Sequence, residues 1–342
     1  MSDKKGSNGI RYAGADDGHF GIKVVTDDGL QIYVPSRVAN GAQVISIGDG
    51  DDGNMYDAGD GQSYTVSEEL PPIDTRFGDY GLSDINRVLV NHALIKAGLG
   101  GHQVRIVTGL PVSDYYVGNA QNADYIERKR KSLSDHHVTN RNPAIKCATI
   151  VGHSVVAEAI AAFFDLLIQM DGSFNPVIKD MIAQGPIGIV DIGGKTTDSA
   201  VIINGGKGVD ASRSGTAKLG ALSLNDSVDA RIKHQFSLDS LTPSRIEQAV
   251  MTGKLRIFKE ERDVSGLVNE EKHTLASQII NEIKRKFRDA ADLEGVFFVG
   301  GGALLLRDQL ADLYPHAQVV DDPQFANARG MLKIAKYLKA AA

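Results

Sequence analysis

Asp191-Ile-Gly-Gly-Lys-Thr-Thr-Asp198 follows the apolar run Ile187-Gly-Ile-Val190 and sets two glycines, two threonine hydroxyls and two carboxylates within eight residues. A turn that only reverses a core strand seldom needs all of these groups. Glycine lets backbone amides approach an anion, and a carboxylate at a strand end can hold a hydrated divalent cation. A related stretch stands earlier, Asp16-Asp-Gly-His-Phe-Gly-Ile-Lys23, where Gly18 and Gly21 free the turn and Lys23 returns seven residues after Asp16. Each stretch taken alone reads equally well as a plain hairpin with solvated charges. Two acidic loops, each heading a strand-turn-strand meander, instead imply a repeated unit whose loops face each other and clamp one polyphosphate.

Outward from these loops, strands alternate with helices, the pattern of an α/β protein. Residues 10–14, 22–26 and 30–35 read as an opening meander. Residues 49–61, rich in aspartate and glycine, read as a surface insertion outside any core. Ser83 caps an expected helix over 83–97, stopped by Gly98. Residues 103–108 are an expected strand, 122–134 a charged helix, 144–151 a buried strand holding Cys147, and 154–170 an apolar helix. After Gly185-Pro186 the meander recurs at 187–191, 199–203 and 207–213. Helices are expected at 221–236, at 242–252 with Pro243 in the first turn, and at 272–290. The strand 295–299 runs into Gly300-Gly301-Gly302, where backbone and a helix start can meet a ligand. A last helix, about 324–338, is expected to pack back on the first half. The implied division is 1–185 with a variable insertion at about 36–82, then 186–322, then a closing segment 323–342.

The chain has 342 residues, 42% hydrophobic and 23% charged, enough for two domains with their own cores. A net charge of -6 argues against a broad nucleic-acid-binding face. A single cysteine, Cys147, forms no internal disulfide and suits a reducing compartment. The polar start and the interruption of the apolar run 155–170 by Glu158 and Asp165 lead us to expect a cytoplasmic protein with no membrane attachment. His136-His137 has no partner at metal-ligand spacing. Lys129-Arg-Lys131 and Lys284-Arg-Lys286 are expected to be solvated helix faces.

The loops at Asp16 and Asp191 and the Gly300–Gly302 run resemble, in order and spacing, the two phosphate motifs and the adenosine motif of the superfamily uniting actin, the large heat-shock chaperones and the sugar kinases. Within it, Val88-Leu-Val-Asn-His-Ala-Leu-Ile-Lys-Ala-Gly98, Thr108-Gly-Leu-Pro-Val-Ser-Asp-Tyr-Tyr116 and Tyr125-Ile-Glu-Arg-Lys129 resemble segments of the ParM/StbA family of plasmid-segregation actins. The resemblance implies an actin-like ATPase fold, two duplicated ribonuclease H-like domains around a nucleotide cleft. It implies that Asp16 and Asp191 organise Mg2+ through water and that Gly18 and Lys23 serve the first phosphate loop. Gly193, Gly194, Lys195 and Thr196 would cradle the phosphates of ATP or ADP, with Lys218 and Gly220 near the sugar and Gly300, Gly301 and Gly302 bordering adenosine. The family's water-orienting residue falls by this alignment on His153, with Glu158 as the rival position. The implied activity is Mg-dependent ATP hydrolysis coupled to self-association into filaments, with DNA segregated through a DNA-binding adaptor of ParR type rather than by direct contact. In a filament-former the two basic helix faces are also candidate subunit contacts. Two other outcomes stay open: a non-polymerising ATPase or kinase of the same fold, with Asp198 as the kinase base, and a scaffold with little turnover.

Overall fold

The structure is a computed structural model that describes residues 9–44, 53–59, 61–118 and 120–338. Arg11–Asp17 (β1), Gly21–Thr26 (β2) and Gln31–Pro35 (β3) form an antiparallel meander. Asp84–Lys96 (α1) begins where the Ser83 hydroxyl accepts the Asn86 amide, satisfying one of the donors a helix start leaves free. It leads to Gln103–Leu110 (β4), parallel to β1, and Ala123–Ser134 (α2) leads on to Thr149–Ala157 (β5), parallel to β4. The first sheet therefore has the order β5-β4-β1-β2-β3. Ile160–Leu167 (α3) and Pro176–Gln184 (α4) follow.

Ile187–Ile192 (β6), Thr197–Ile203 (β7) and Gly208–Val209 (β8) form the second meander, and Gly295–Val299 (β9) and Ala317–Val319 (β10) run parallel beyond β6. The order β8-β7-β6-β9-β10 repeats that of the first sheet. Strands β6 and β9 are buried at every position, which explains their nearly continuous apolar sequence. Between the meander and β9 lie Ala221–Phe236 (α5), Pro243–Thr252 (α6) and Ser265–Phe287 (α7). Helix α5 turns Leu224, Val228 and Ile232 inward, and α7 turns in Leu275, Ile279, Ile283 and Phe287, each row at the four-residue spacing that keeps side chains on one face. Each such buried side chain contributes about 1.5–3 kcal/mol.

Gly301–Leu305 (α8) follows β9, and Ala326–Tyr337 (α9) is the last helix of the described residues. Helix α9 returns to the first half: Ala328 and Leu332 pack with Val25, and Met331 and Ile334 with Val107 and Ala161. The approach depends on glycine at two positions, because a Cβ on Gly14 would lie 2.0 Å from the Ala328 carbonyl and one on Gly330 would lie 1.8 Å from that of Ala161. On its other side α3 packs Ala162, Phe163 and Leu167 with Ile189, Ile202 and Phe297 of the second sheet. Helices α3 and α9 thus join the two sheets through one apolar layer. Asp165 fastens the pair, accepting from Arg329 at 2.7 and 2.9 Å and from Lys333 at 2.5 Å.

Several expectations need correction. Part of the aspartate- and glycine-rich stretch, residues 49–52 and 60, lies outside the described residues, as does most of the polar start. Its described portion is not an unpacked insertion: Met55–Asp57 forms a small sheet with Ser63–Val66, Val38–Asn40 and Thr139–Asn140, and Tyr56, fully buried, bonds to His92 at 2.8 Å. One aromatic side chain with a buried hydroxyl partner outweighs the polar composition around it. Strand β5 begins later than expected and runs through 154–157, so the apolar helix is only Ile160–Leu167. Alternating burial from residue 153 to 157 marks a half-covered strand, and the run Val155-Val-Ala157, apolar on both faces, hid that period. Residues 207–213 form only the short β8, and the helix expected from residue 272 starts at Ser265. Among the described residues no helix is long and apolar enough to cross a membrane.

Candidate functional site

Strands β1 and β6 end on the same cleft, of about 1080 Å3, and their terminal acids Asp16 and Asp191 both line it. The register gives the two hairpins different cross-strand partners: Asp16 stands opposite Lys23, whereas Asp191 stands opposite Asp198. Lys23 Nζ donates to Asp16 Oδ2 at 3.0 Å. Burial opposes the Lys23 charge, but Asp16, Asp191 and Glu158 outweigh it and hold the ammonium above its usual range. The second hairpin carries no such cation opposite its acid, and Asp191 instead accepts from Asn327 Nδ2 of α9 at 2.6 Å.

Both turns are held from behind through their carbonyls. In the first, Ser36 donates its hydroxyl to the Gly18 carbonyl at 2.7 Å and its amide to that of Phe20 at 3.0 Å, while Thr75 donates to the His19 carbonyl at 3.0 Å. In the second, the first amides of α5, on Ala221 and Leu222, donate to the carbonyls of Gly193 at 3.0 Å and Gly194 at 2.8 Å. Gly194 also faces the first hairpin directly, with a Cβ there only 2.7 Å from Phe20 Cβ. Behind β6, Gly300 takes a φ of +88° and leaves no room for a side chain, which would lie 2.4 Å from Asp191 Oδ1.

The expected residues Asp16, Gly18, Lys23, Glu158, Asp191, Gly193, Gly194, Lys195, Thr196, Lys218, Gly300, Gly301 and Gly302 all line this cleft. Two do not. Gly220 sits behind the second turn, where a Cβ would meet the Gly194 carbonyl at 2.5 Å, so it supports the loop rather than bordering the cavity. His153 is the larger departure. It lies within β5 rather than at a helix start, with Nε2 2.9 Å from Thr108 Oγ1 and Nδ1 3.1 Å from the Arg130 carbonyl. Burial lowers its pKa to about 4, which makes it a neutral structural imidazole. Glu158, just beyond the end of β5, occupies the cleft in its place. Asp198 is also outside the lining: it accepts from the Val112 amide at 2.7 Å, from Thr196 at 3.2 Å and from Thr216, so its oxygens are committed to the fold and not to an incoming hydroxyl.

Several lining groups were not foreseen. Asp17, next to Asp16, accepts Lys129 Nζ at 2.8 and 3.1 Å and Asn86 Nδ2 at 2.9 Å, with both charged side chains almost wholly buried. Lys129 therefore belongs to the site and not to a solvated face. The charge run around it concealed this, because only one of its basic residues turns inward. Asn327 is the other, and nothing in the sequence near it signals a site 136 residues away.

Electrostatically the cleft is short of positive charge. Burial, reinforced by Asp198, Asp16 and Asp191, pushes the Glu158 carboxyl well above the usual range. Burial, then Asp16 and Asp198, raises Asp191 to about 7, with Asn327 and Lys23 pulling the other way. Asp198 rises to about 6, chiefly through burial. Crowded carboxylates in a low-dielectric pocket favour either protons or a cation. Among the described residues, no three acidic, histidine or cysteine side chains converge to ligate a metal directly. The acids with the buried, unpartnered Asn327 Oδ1 form an all-oxygen set that fits a hydrated Mg2+, an ion that keeps several of its waters.

Comparison with known proteins agrees with this geometry. Residues 16–169 match the family model described as plasmid segregation protein ParM, N-terminal, and residues 189–312 match that of archaeal actin homologue MreB-like, C-terminal. No curated protein sequence matches the chain. Among solved structures, a non-polymerisable quadruple mutant of pCBH ParM aligns with TM-score 0.77 at 20% identity, over 96% of this chain and 99% of that one. A 15-stranded ParM filament from Clostridium botulinum aligns with 0.76 at 21% identity, over the same shares. The archaeal actin homologue Ta0583 in complex with ADP aligns with 0.75 at 18%, again over 96% and 99%. The repeated strand order, the paired acidic hairpins at its centre and the alignments over nearly the whole chain together give this protein the actin-like fold, with its first half similar to the ParM N-terminal family model.

Proposed function

We propose that this protein binds ATP with Mg2+ in the cleft, hydrolyses it slowly, and assembles into filaments whose growth and loss follow the nucleotide. The observation that carries this reading is the convergence of two hairpins whose buried acids outnumber the cations beside them. Asp16 and Asp191 would hold Mg2+ through its waters, with Asn327 Oδ1 accepting from one. When bound, the metal supplies charge neutralisation at the phosphates. Lys23 neutralises phosphate oxygens, while Gly193, Gly194, Lys195 and Thr196 cradle them and exclude water. Lys218 and Gly300–Gly302 border the nucleoside. Glu158 orients the attacking water: burial and the acids around it favour its protonated form, and cationic charge entering the cleft favours the carboxylate that can accept.

In the same reading the filament moves DNA through an adaptor of ParR type in the cytoplasm, with no direct DNA contact. The two halves, 1–185 and 186–322, act as the jaws of the cleft, closed by 323–342. The ParM match over residues 16–169 and the alignment with a ParM filament support assembly. Light scattering with ATP, with ADP and without nucleotide is the test, alongside phosphate release. ATP-dependent assembly that decays as phosphate appears is expected. Absence of assembly at every concentration would remove the filament reading and leave nucleotide binding to be judged separately by calorimetry.

A further inference from the structure

Building on the nucleotide reading above, we infer that His19 reads the terminal phosphate of a bound nucleoside triphosphate by taking up a proton as that phosphate enters. His19 is at the tip of the first hairpin and lines the cleft. Its ring is held on the outer side. Nδ1 lies 2.8 Å from the Thr75 carbonyl, which can only accept, so Nδ1 carries the hydrogen, and the ring leans on Tyr80 with centroids 4.6 Å apart. The neutral imidazole therefore has its lone pair on Nε2. These contacts lie in the segment before α1, whereas the glycine run that borders the nucleoside packs against Ile192 and Asp191. On the nucleotide reading above, in which the hairpin tips take the phosphates and the glycine run takes the nucleoside, the ring is assigned to the terminal phosphate.

An Nε2 lone pair repels a phosphate oxygen, and an Nε2–H donates to it. The proton comes from solvent and returns there when the phosphate leaves, so no other reactant is needed. The charges around the ring come from four elements: Asp17 on its own hairpin, Lys195 on the second, Lys129 on α2, and Asp74 beside Thr75. Burial and then Lys195 push its pKa down to about 4, so the free protein holds it neutral at physiological pH. A phosphate between His19 and Lys195 reverses the local field and stabilises the imidazolium.

Calorimetry of the full chain with Mg2+ and either a non-hydrolysable ATP analogue or ADP, near pH 6.5 in two buffers of different ionisation enthalpy, counts the protons. More protons taken up with the triphosphate than with ADP is the expected result, together with a triphosphate affinity that weakens by up to about tenfold per pH unit above the free pKa. His19→Asn should erase the excess while both nucleotides still bind. An equal count for the two nucleotides in the unaltered protein, which needs no variant, or an excess that survives in His19→Asn, overturns the inference. Failure of the unaltered protein to bind either nucleotide overturns the nucleotide reading, and this inference with it.

Discussion

Asn327 donates to Asp191 at 2.6 Å, joining the first turn of the closing helix to the second hairpin across 136 residues of sequence. The bond is buried and charge-assisted, and such bonds contribute about 1.5–3 kcal/mol. Asn327→Ala should lower the unfolding free energy by about that amount in urea titrations and should also reduce hydrolysis, because Asp191 loses the donor that favours its charged form. Unchanged stability and turnover would mean that the bond does not form in solution.

Glu158→Gln should bind nucleotide but lose most hydrolysis, at least about a hundredfold by the usual scale of acid-base groups. His153→Ala should instead lower thermal stability with little effect on turnover per folded molecule, since its ring bonds only to Thr108 and Arg130. Phosphate-release assays beside melting curves separate the two, and the reverse pattern would return His153 to the site.

Stability of the nucleotide-free protein should peak in mildly acidic solution. The Asp191 carboxyl is raised to about 7 in the fold, so the folded state binds more protons than the unfolded chain between roughly pH 4 and 7, and its contribution is lost as pH rises through that window. The buried His92 and His153 are lowered to about 4, so their contribution is present above pH 6.5 and is lost as pH falls toward 4. Asp191→Asn should flatten the alkaline limb of a Tm-against-pH curve, and saturating Mg-ATP should flatten it in the unaltered protein. A limb that persists in the variant would assign it to other groups.

Lys129→Met strands the Asp17 carboxylate in a buried site and should destabilise the protein by about 3–5 kcal/mol. The double change Lys129→Met with Asp17→Leu should recover part of that loss without restoring turnover. Chemical denaturation of the single and double variants checks this, and simple additivity would show that the two charges act independently.

The duplicated fold was legible because its signals are local: acid and glycine at a strand end, apolar strands of the right length, Ser83 and Thr242-Pro243 at helix starts. The sites at Lys129 and Asn327 were not, because each depends on which face of a helix turns inward at long range. The region from residue 144 to 170 was misread for a different reason. Apolar residues fall on both faces of it, as in Val155-Val-Ala157 and Ile160-Ala-Ala-Phe-Phe164, so no period separates strand from helix, and His153 inherited the wrong environment from that error. Glu158, only five positions on, becomes the cleft residue once β5 is given its true length.

Helix α9 supplies one face of the first sheet, against Gly14, Val25 and Val107, although it is built from residues 326–337. During synthesis, β1, β2 and β4 leave the ribosome with that face bare and must wait through the whole second sheet for their cover. The other face of these strands has its own core with α1, so only the α9 face, with Val25 and Val107, is completed last.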